Sequence, residues 1–424
     1  MMKTKIILPL LILAELAGFA LAAEKPFYLK DGDRVVFYGD SITDQRLYTT
    51  FAETFVLTRF PSMKVSFVHS GWGGDRVTGG GGGPIDVRLQ RDVFAYKPTV
   101  MTVMLGMNDA SYKAFDQTVY AAYTNGYEHI VAAMKKNSPQ TRLTLIQPSP
   151  FDDATQPPKF EGGYNQVLVR YGTYVKDLAT REHLDVADLN SAVVAALEKA
   201  KSTDAEKAKK IIPDRVHPGP AGHLLMAAEL LKAWNAPGII SAVEINAADK
   251  TVRAQCCTRV SRLKVNGGLS WLQLDQALPM PVDLGDEITK LAVNSSDFIE
   301  ALNQQPLKVT GLGARRYVLK IDGKPVGDFT REELAAGINL AVLNTPMAEQ
   351  AKEVHKLTLQ HNNLHFERWR DLQVRLTKHA AGKISQATQA LLAAFDAEEA
   401  ELVEKQRAAA KPVSHHYELN STAP

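Results

Sequence analysis

Two short stretches hold residues whose types and spacing suit acyl transfer. Residues 35–44 read V-V-F-Y-G-D-S-I-T-D, an apolar run that ends at Gly39-Asp40 and delivers Ser41 to the start of a helix-compatible segment. Residues 214–217 read D-R-V-H, just before Pro218 and a helical stretch from Ala221 to Trp234. Ester hydrolysis by serine needs a hydroxyl nucleophile, a base for its proton, a group that orients the base, and donors for the oxyanion. Ser41 is the candidate nucleophile and His217 the candidate base. Asp214 is placed to curl back to the imidazole Nδ1, leaving Nε2 to face the serine. The competing structural reading of Ser41 is a helix N-cap.

These residues need a frame that brings them together, and the pattern after residue 26 provides one. Short apolar strands are expected at Arg34–Tyr38, Lys64–Ser70, Thr99–Leu105, Arg142–Gln147 and Leu184–Asp188, with helical stretches between them. Such alternation specifies a parallel sheet covered on both faces. Ligands of such sheets bind beyond the carboxyl ends of the strands. Ser41, the loop from Gly71 and the loop from Gly106 all follow strand ends, so they should share one edge.

In order, Gly39-Asp40-Ser41 with Asp44, Gly71-Trp72-Gly73-Gly74-Asp75, Gly106-Met107-Asn108-Asp109 and Asp214-Arg215-Val216-His217 closely resemble the four sequence blocks of the GDSL esterases of the SGNH hydrolase superfamily. The resemblance covers roughly Phe27 to Trp234. It implies a three-layer α/β/α flavodoxin-like parallel sheet and a Ser41-His217-Asp214 triad. It also implies an oxyanion hole made of the Ser41 and Gly74 backbone N–H groups and the Asn108 side-chain amide, with no metal and no cofactor. The residue types suit these roles: glycine lets backbone approach closely, and a neutral amide donates at any working pH. One position departs from the common pattern, since His69 stands where many relatives have Asn; it is expected to alter hydrogen bonding in the second loop. The G-x-S-x-G elbow of the α/β-hydrolases is absent.

The rest of the chain is less specific. Its 424 residues are 45% hydrophobic and 23% charged with net charge +2, so it is globular and lacks an electrostatic footprint for nucleic acid. Lys3 and Lys5, an apolar stretch from Ile6 to about Leu21, and Ala20-Leu21-Ala22 read as a cleavable signal peptide over residues 1–22, hence a secreted or periplasmic protein without a membrane anchor. Adjacent Cys256 and Cys257 exclude a disulfide framework. The pair would close a strained vicinal ring or stay reduced and buried.

The expected organisation is a hydrolase domain over residues 23–237, a smaller β-rich module over 238–330, a helical region over 331–412 and a disordered tail over 413–424. Thr330-Arg-Glu-Glu333 reads as a capping box. A helical hairpin from Pro346 to about Ala410 should break near Ala381-Gly382, with Ile384, Leu391, Phe395 and Leu402 as a packed stripe; its helices are candidates for dimerisation or for covering the active site. His361 and His365 are expected to be packed or solvated rather than metal ligands. Gly79–Gly83 lacks the Lys-Ser/Thr of a phosphate loop and reads as a flexible loop. Trp72 admits two readings, stacking on substrate or packing.

The function these features favour is acyl ester hydrolysis, with removal of acetyl groups from polysaccharide or another carbohydrate as the expected reaction. The alternatives are a lysophospholipase or thioesterase, and a non-catalytic glycan-binding protein.

Overall fold

The computed structural model describes residues 25–266, 268–376 and 381–422. The expected signal peptide lies outside them. Five strands, β1 (Arg34–Gly39), β2 (Ser66–Gly71), β3 (Val100–Met104), β4 (Arg142–Ile146) and β5 (Asp185–Ala187), form one sheet in the order β2-β1-β3-β4-β5. Every neighbouring pair is parallel. β1 and β3 are apolar almost throughout because both of their faces are covered. Phe37 packs against Tyr48 and Trp234, while its neighbour Tyr38 points the other way, beneath the Arg88 guanidinium. The strand order reverses between β1 and β3, which opens a crevice beyond their carboxyl ends. Ser41, the loop that begins at Gly71 and the Gly106–Asp109 turn meet there. This is the expected α/β/α architecture.

A β-rich module and long helices follow, again as expected. One antiparallel sheet contains, in spatial order, Thr258–Val265, Gly268–Asp275, His415–Ser421, Arg316–Ile321 and Lys324–Thr330. A second sheet pairs Ile338–Asn339, Pro306–Thr310, Ala242–Asn246 and Thr251–Cys256. Thr330 and Glu333 make the reciprocal capping box that opens the helix Arg331–Ala336. The hairpin runs up through Pro346–Phe366, continues as a π-helical stretch Glu367–Gln373, and returns through Gly382–Ala410.

Three expectations for this half are corrected. The chain from residue 413 is no disordered tail, because His415–Ser421 is the central strand of the antiparallel sheet and pairs on both sides. His415, Tyr417 and Leu419 alternate inward, and Tyr417 stacks on Trp271 with ring centroids 5.0 Å apart. The hairpin stripe does not pack along its whole length: Ile384 and Leu391 are 53% and 44% exposed, since they lie toward the free tip. Both cysteines are free, and Cys256 is exposed rather than buried.

Because Tyr417 fills the centre of a core shared by this sheet and the hairpin base, Tyr417→Ala should cost about 3–5 kcal/mol. A denaturant melt of the full chain checks this; a midpoint unchanged from wild type would show that the strand contributes nothing.

Candidate active site

The capping job expected of Ser41 belongs to its neighbour. Asp40 is the N-cap of the one-turn helix Ser41–Asp44 and accepts from the Ile42 N–H at 3.0 Å. The Ser41 hydroxyl is therefore left for a different partner, and His217 Nε2 stands 2.8 Å from it. His217 Nδ1 is 2.7 Å from Asp214 Oδ2. The other Asp214 oxygen accepts the Val216 and His217 backbone N–H groups at 2.9 and 2.7 Å. Burial alone would raise the Asp214 pKa, but these hydrogen bonds outweigh it and hold the carboxyl below its usual range. An ionised carboxylate can only accept, so Nδ1 carries the proton and Nε2 is free to accept from serine. The loop that does this turns at Arg215, in the left-handed region with φ +72°, and is tied back by Gly219 N to Ile211 O at 2.9 Å.

The second and third loops meet beside Ser41. A Cβ placed on Gly73 would lie 3.9 Å from the Ser41 Cβ. Gly74 has φ +78° and is exposed, with no protein atom within 4 Å of where a Cβ would stand. Its glycine is required by backbone conformation, and the space beside it is open to a ligand. The Asn108 amide donates to the Asp75 carbonyl at 3.1 Å and accepts from the Tyr112 hydroxyl at 2.9 Å. That pair of contacts fixes which end of the amide is nitrogen. Asp109 accepts from Val77 N at 3.1 Å. Burial pushes both Asp40 and Asp109 up to about 7.

Beneath the second loop lies a fully buried arginine. Arg88 Nε donates to Asp75 Oδ2 at 2.7 Å and Nη2 to Ser70 O at 2.7 Å, while Nη1 pairs with Asp92. The five glycines of 79–83 wrap this group and are no flexible loop: a Cβ on Gly82 would lie 2.4 Å from Arg88 Cδ and 2.7 Å from Trp72 Cδ2. Trp72 takes the packing role. The guanidinium groups of Arg370, Arg88 and Arg91 lie over its ring at 3.1, 5.2 and 5.1 Å, and Trp369 meets it edge-on, which leaves its faces occupied.

His69 does not bond the second loop; it points to Thr49 and Glu53, at 2.7 and 3.1 Å. His361 and His365 pack against Glu399, and among the described residues no group of His, Cys, Asp or Glu is arranged to hold a metal. Tyr112, Trp369 and Arg370 were not legible as site residues, since no local pattern marks them.

The sequence profile of the GDSL-like lipase/acylhydrolase family matches residues 37–225. That stretch holds every loop just described. Residues 37–225 form a GDSL-like lipase/acylhydrolase region, and the chain is a carboxylic ester hydrolase. The acetylxylan esterase of Geobacillus stearothermophilus is 23% identical over 221 residues, which cover 47% of this chain and 93% of that protein. A solved structure described as a gut microbial diltiazem-metabolizing enzyme is 27% identical, covers 93% of this chain and 98% of that one, and superposes with a TM-score of 0.81. The GDSL hydrolase therefore shares its catalytic half with the first and its whole architecture with the second.

His223 couples the histidine loop of this GDSL hydrolase to the serine loop. Its Nδ1 accepts from Tyr48 N at 3.2 Å, so its proton sits on Nε2, 3.0 Å from Gln45 Oε1. Burial, with a smaller push from His217, drives its pKa down to about 3. The unfolded chain takes up a proton below about 6.5 that the folded chain refuses, so this group's contribution is complete above that pH and is lost as pH falls toward 3. His223→Gln should flatten the acid side of the stability–pH curve by up to about 1.4 kcal/mol per pH unit. Denaturant melts of both proteins from pH 7 to 4 read the difference; parallel curves would contradict it.

Proposed function

We propose that this GDSL hydrolase is an exported serine esterase that removes acetyl groups from carbohydrate through Ser41, His217 and Asp214. The observation that carries the reading is the hydrogen-bonded line Ser41 Oγ–His217 Nε2, His217 Nδ1–Asp214, at 2.8 and 2.7 Å. In this mechanism the Ser41 oxygen attacks the ester carbonyl while its proton passes to His217 Nε2. The oxyanion is held by the Ser41 and Gly74 N–H groups and the Asn108 amide. His217 then returns the proton to the leaving alcohol as the C–O bond breaks. Water, deprotonated by the same imidazole, attacks the acyl-enzyme and releases the carboxylic acid and free Ser41. Asp214 keeps His217 in the required tautomer throughout.

Acetyl on carbohydrate is supported by the acetylxylan esterase relative and by the openness of the site. The Asp214 and His217 side chains are 55% and 36% exposed, and Gly74 is exposed, so an extended polymer can lie across them. The polar surroundings of Ser41, with Asp44 and Arg370 close by, disfavour a long acyl chain, which would bury hydrocarbon against charge. A second reading, hydrolysis of a small-molecule ester, draws on the neighbour described as diltiazem-metabolizing, which shares the full architecture. Export rests on the sequence of residues 1–22.

Ser41→Ala should lower kcat on p-nitrophenyl acetate by roughly 10⁴ or more. Asn108→Ala should lower it on the order of 10²–10³. Across p-nitrophenyl esters from acetyl to dodecanoyl, kcat/KM should be highest for acetyl, and acetylated xylan should release acetate in a Ser41-dependent way. Full activity in Ser41→Ala would overturn the mechanism, rates rising with chain length would move the substrate to lipids, and turnover of diltiazem without action on xylan would favour the second reading.

A further inference from the structure

The π-helical stretch Glu367–Gln373 reaches the catalytic edge of the hydrolase from the far end of the sequence. Two adjacent side chains make the contact. Trp369 is buried and donates from Nε1 to Asp92 Oδ1 at 2.8 Å, joining the carboxylate that also pairs with Arg88. Arg370 lies flat on Trp72, its Cζ 3.1 Å from the ring centroid. Its Nη1 approaches Gly71 O and its Nη2 approaches Asp44 Oδ2, both at 3.4 Å. The same Asp44 oxygen accepts the Gly73 N–H at 3.1 Å. Arg370 thus touches the first residue of the Gly71–Gly74 loop directly, the second through its ring and the third through Asp44. The next peptide carries the Gly74 N–H.

The Arg370 and Asp44 side chains are only 17% and 20% exposed, where a charged pair is screened less than at an open surface. Asp44 needs a cation there. Burial raises its pKa, and Arg370 is the foremost group that opposes this, ahead of Arg46 and Arg88. Arg46 stands 4.0 Å from the other Asp44 oxygen and lies over Phe366 of the hairpin. π-helical turns are rare and recur at functional sites. The acetylxylan esterase relative is matched over 93% of its length by 221 residues of this chain, which leaves it no counterpart of the hairpin. The hairpin contact is therefore an addition to the GDSL core.

We propose that Arg370 is a positioning residue for ester hydrolysis: through Trp72 and Asp44 it holds the Gly71–Gly74 loop so that the Gly74 N–H is aimed at the oxyanion. The C-terminal hairpin is then part of the active site although it supplies no reacting group. The proposal rests on Ser41 as nucleophile and Gly74 as oxyanion donor.

The test uses the full chain with Ser41→Ala, Arg370→Ala, Arg370→Lys and Asp44→Asn side by side. Kinetics on p-nitrophenyl acetate are read together with inhibition by phenylboronic acid, which forms a tetrahedral adduct on an active serine. Arg370→Ala should lower kcat roughly 10- to 100-fold with KM changed by no more than about twofold, and weaken phenylboronate by a similar factor. Arg370→Lys should recover part of the loss. Asp44→Asn should reproduce it, and a double variant combining Arg370→Ala with Asp44→Asn should lose no more than either single one. Wild-type kcat in Arg370→Ala, with Ser41→Ala inactive, overturns the positioning role alone. A rise in KM without loss of kcat overturns it too, since Arg370 would then contact substrate. Additive losses in the double variant also count against it, and if Arg370→Ala folds poorly, Arg370→Lys combined with Asp44→Asn is read in the same way. An active Ser41→Ala overturns the nucleophile reading beneath it.

Discussion

One buried guanidinium holds the second catalytic loop to everything around it. Arg88 is fully buried, and a charge in that position is tolerable only with its donors satisfied. Its partners come from four places: Asp75 in the loop, Ser70 O at the end of β2, Asp92 on its own helix, and the Tyr38 ring on β1. Burial would lower the Arg88 pKa, but Tyr38, Asp92 and Asp75 together keep it raised, so the charge stays. Asp75 in turn presents its carbonyl to the Asn108 amide. The Gly71–Asp75 loop and Asn108, the proposed oxyanion donors outside the serine loop, are thus both tied to this one cation through Asp75. That dependence also explains Gly82, which must pass close to Arg88 and Trp72 without a side chain of its own.

The second anchor comes from outside the hydrolase half. Asp92 has two oxygens, and Trp369 of the hairpin takes the one that Arg88 leaves. The hairpin is itself held at both ends of its sequence. It follows the short helix Arg331–Ala336, and after Ala410 the chain returns as the central strand of the antiparallel sheet. Moving the hairpin would mean unpairing a strand hydrogen-bonded on both edges. The β-rich module thus serves as the clamp for a lever whose other end rests on the catalytic loop. Removing the chain from Pro346 onward would delete that central strand along with the hairpin, so such a truncation could not separate the two roles.

The parts of this arrangement that were legible in the sequence are the ones with local causes. Ser41 follows an apolar strand and a carboxylate cap, Asp214 and His217 share one turn, and the glycines at strand ends mark the loops that converge. Each of these is decided within a few residues. The C-terminal strand H-H-Y-E-L-N-S also alternates inward and outward, but it is short, polar on one face and followed only by T-A-P. Its stability comes from Trp271, Leu319 and two flanking strands, contacts that no local pattern announces. Arg370 was illegible for the same reason in stronger form, since its partners Asp44 and Trp72 lie about three hundred positions earlier.

This division between local and distant determinants has a chemical consequence. The Asp214–His217 pair needs only its own loop: the Asp214 carboxylate satisfies two backbone donors and one imidazole within four residues, in an exposed setting. Oxyanion stabilisation is more demanding, because its benefit depends on donors held in place before charge develops. A glycine at positive φ and a rotatable amide are both soft elements when left alone. In this chain each is stiffened from outside: the Gly71–Gly74 loop by Arg88 below and Arg370 above, and Asn108 by Asp75 and Tyr112 at its two ends. The proposed proton-transfer pair is thus a property of the Asp214–His217 turn itself. The loops that carry the proposed oxyanion donors are held by the wider fold, and the C-terminal hairpin makes contact at that point.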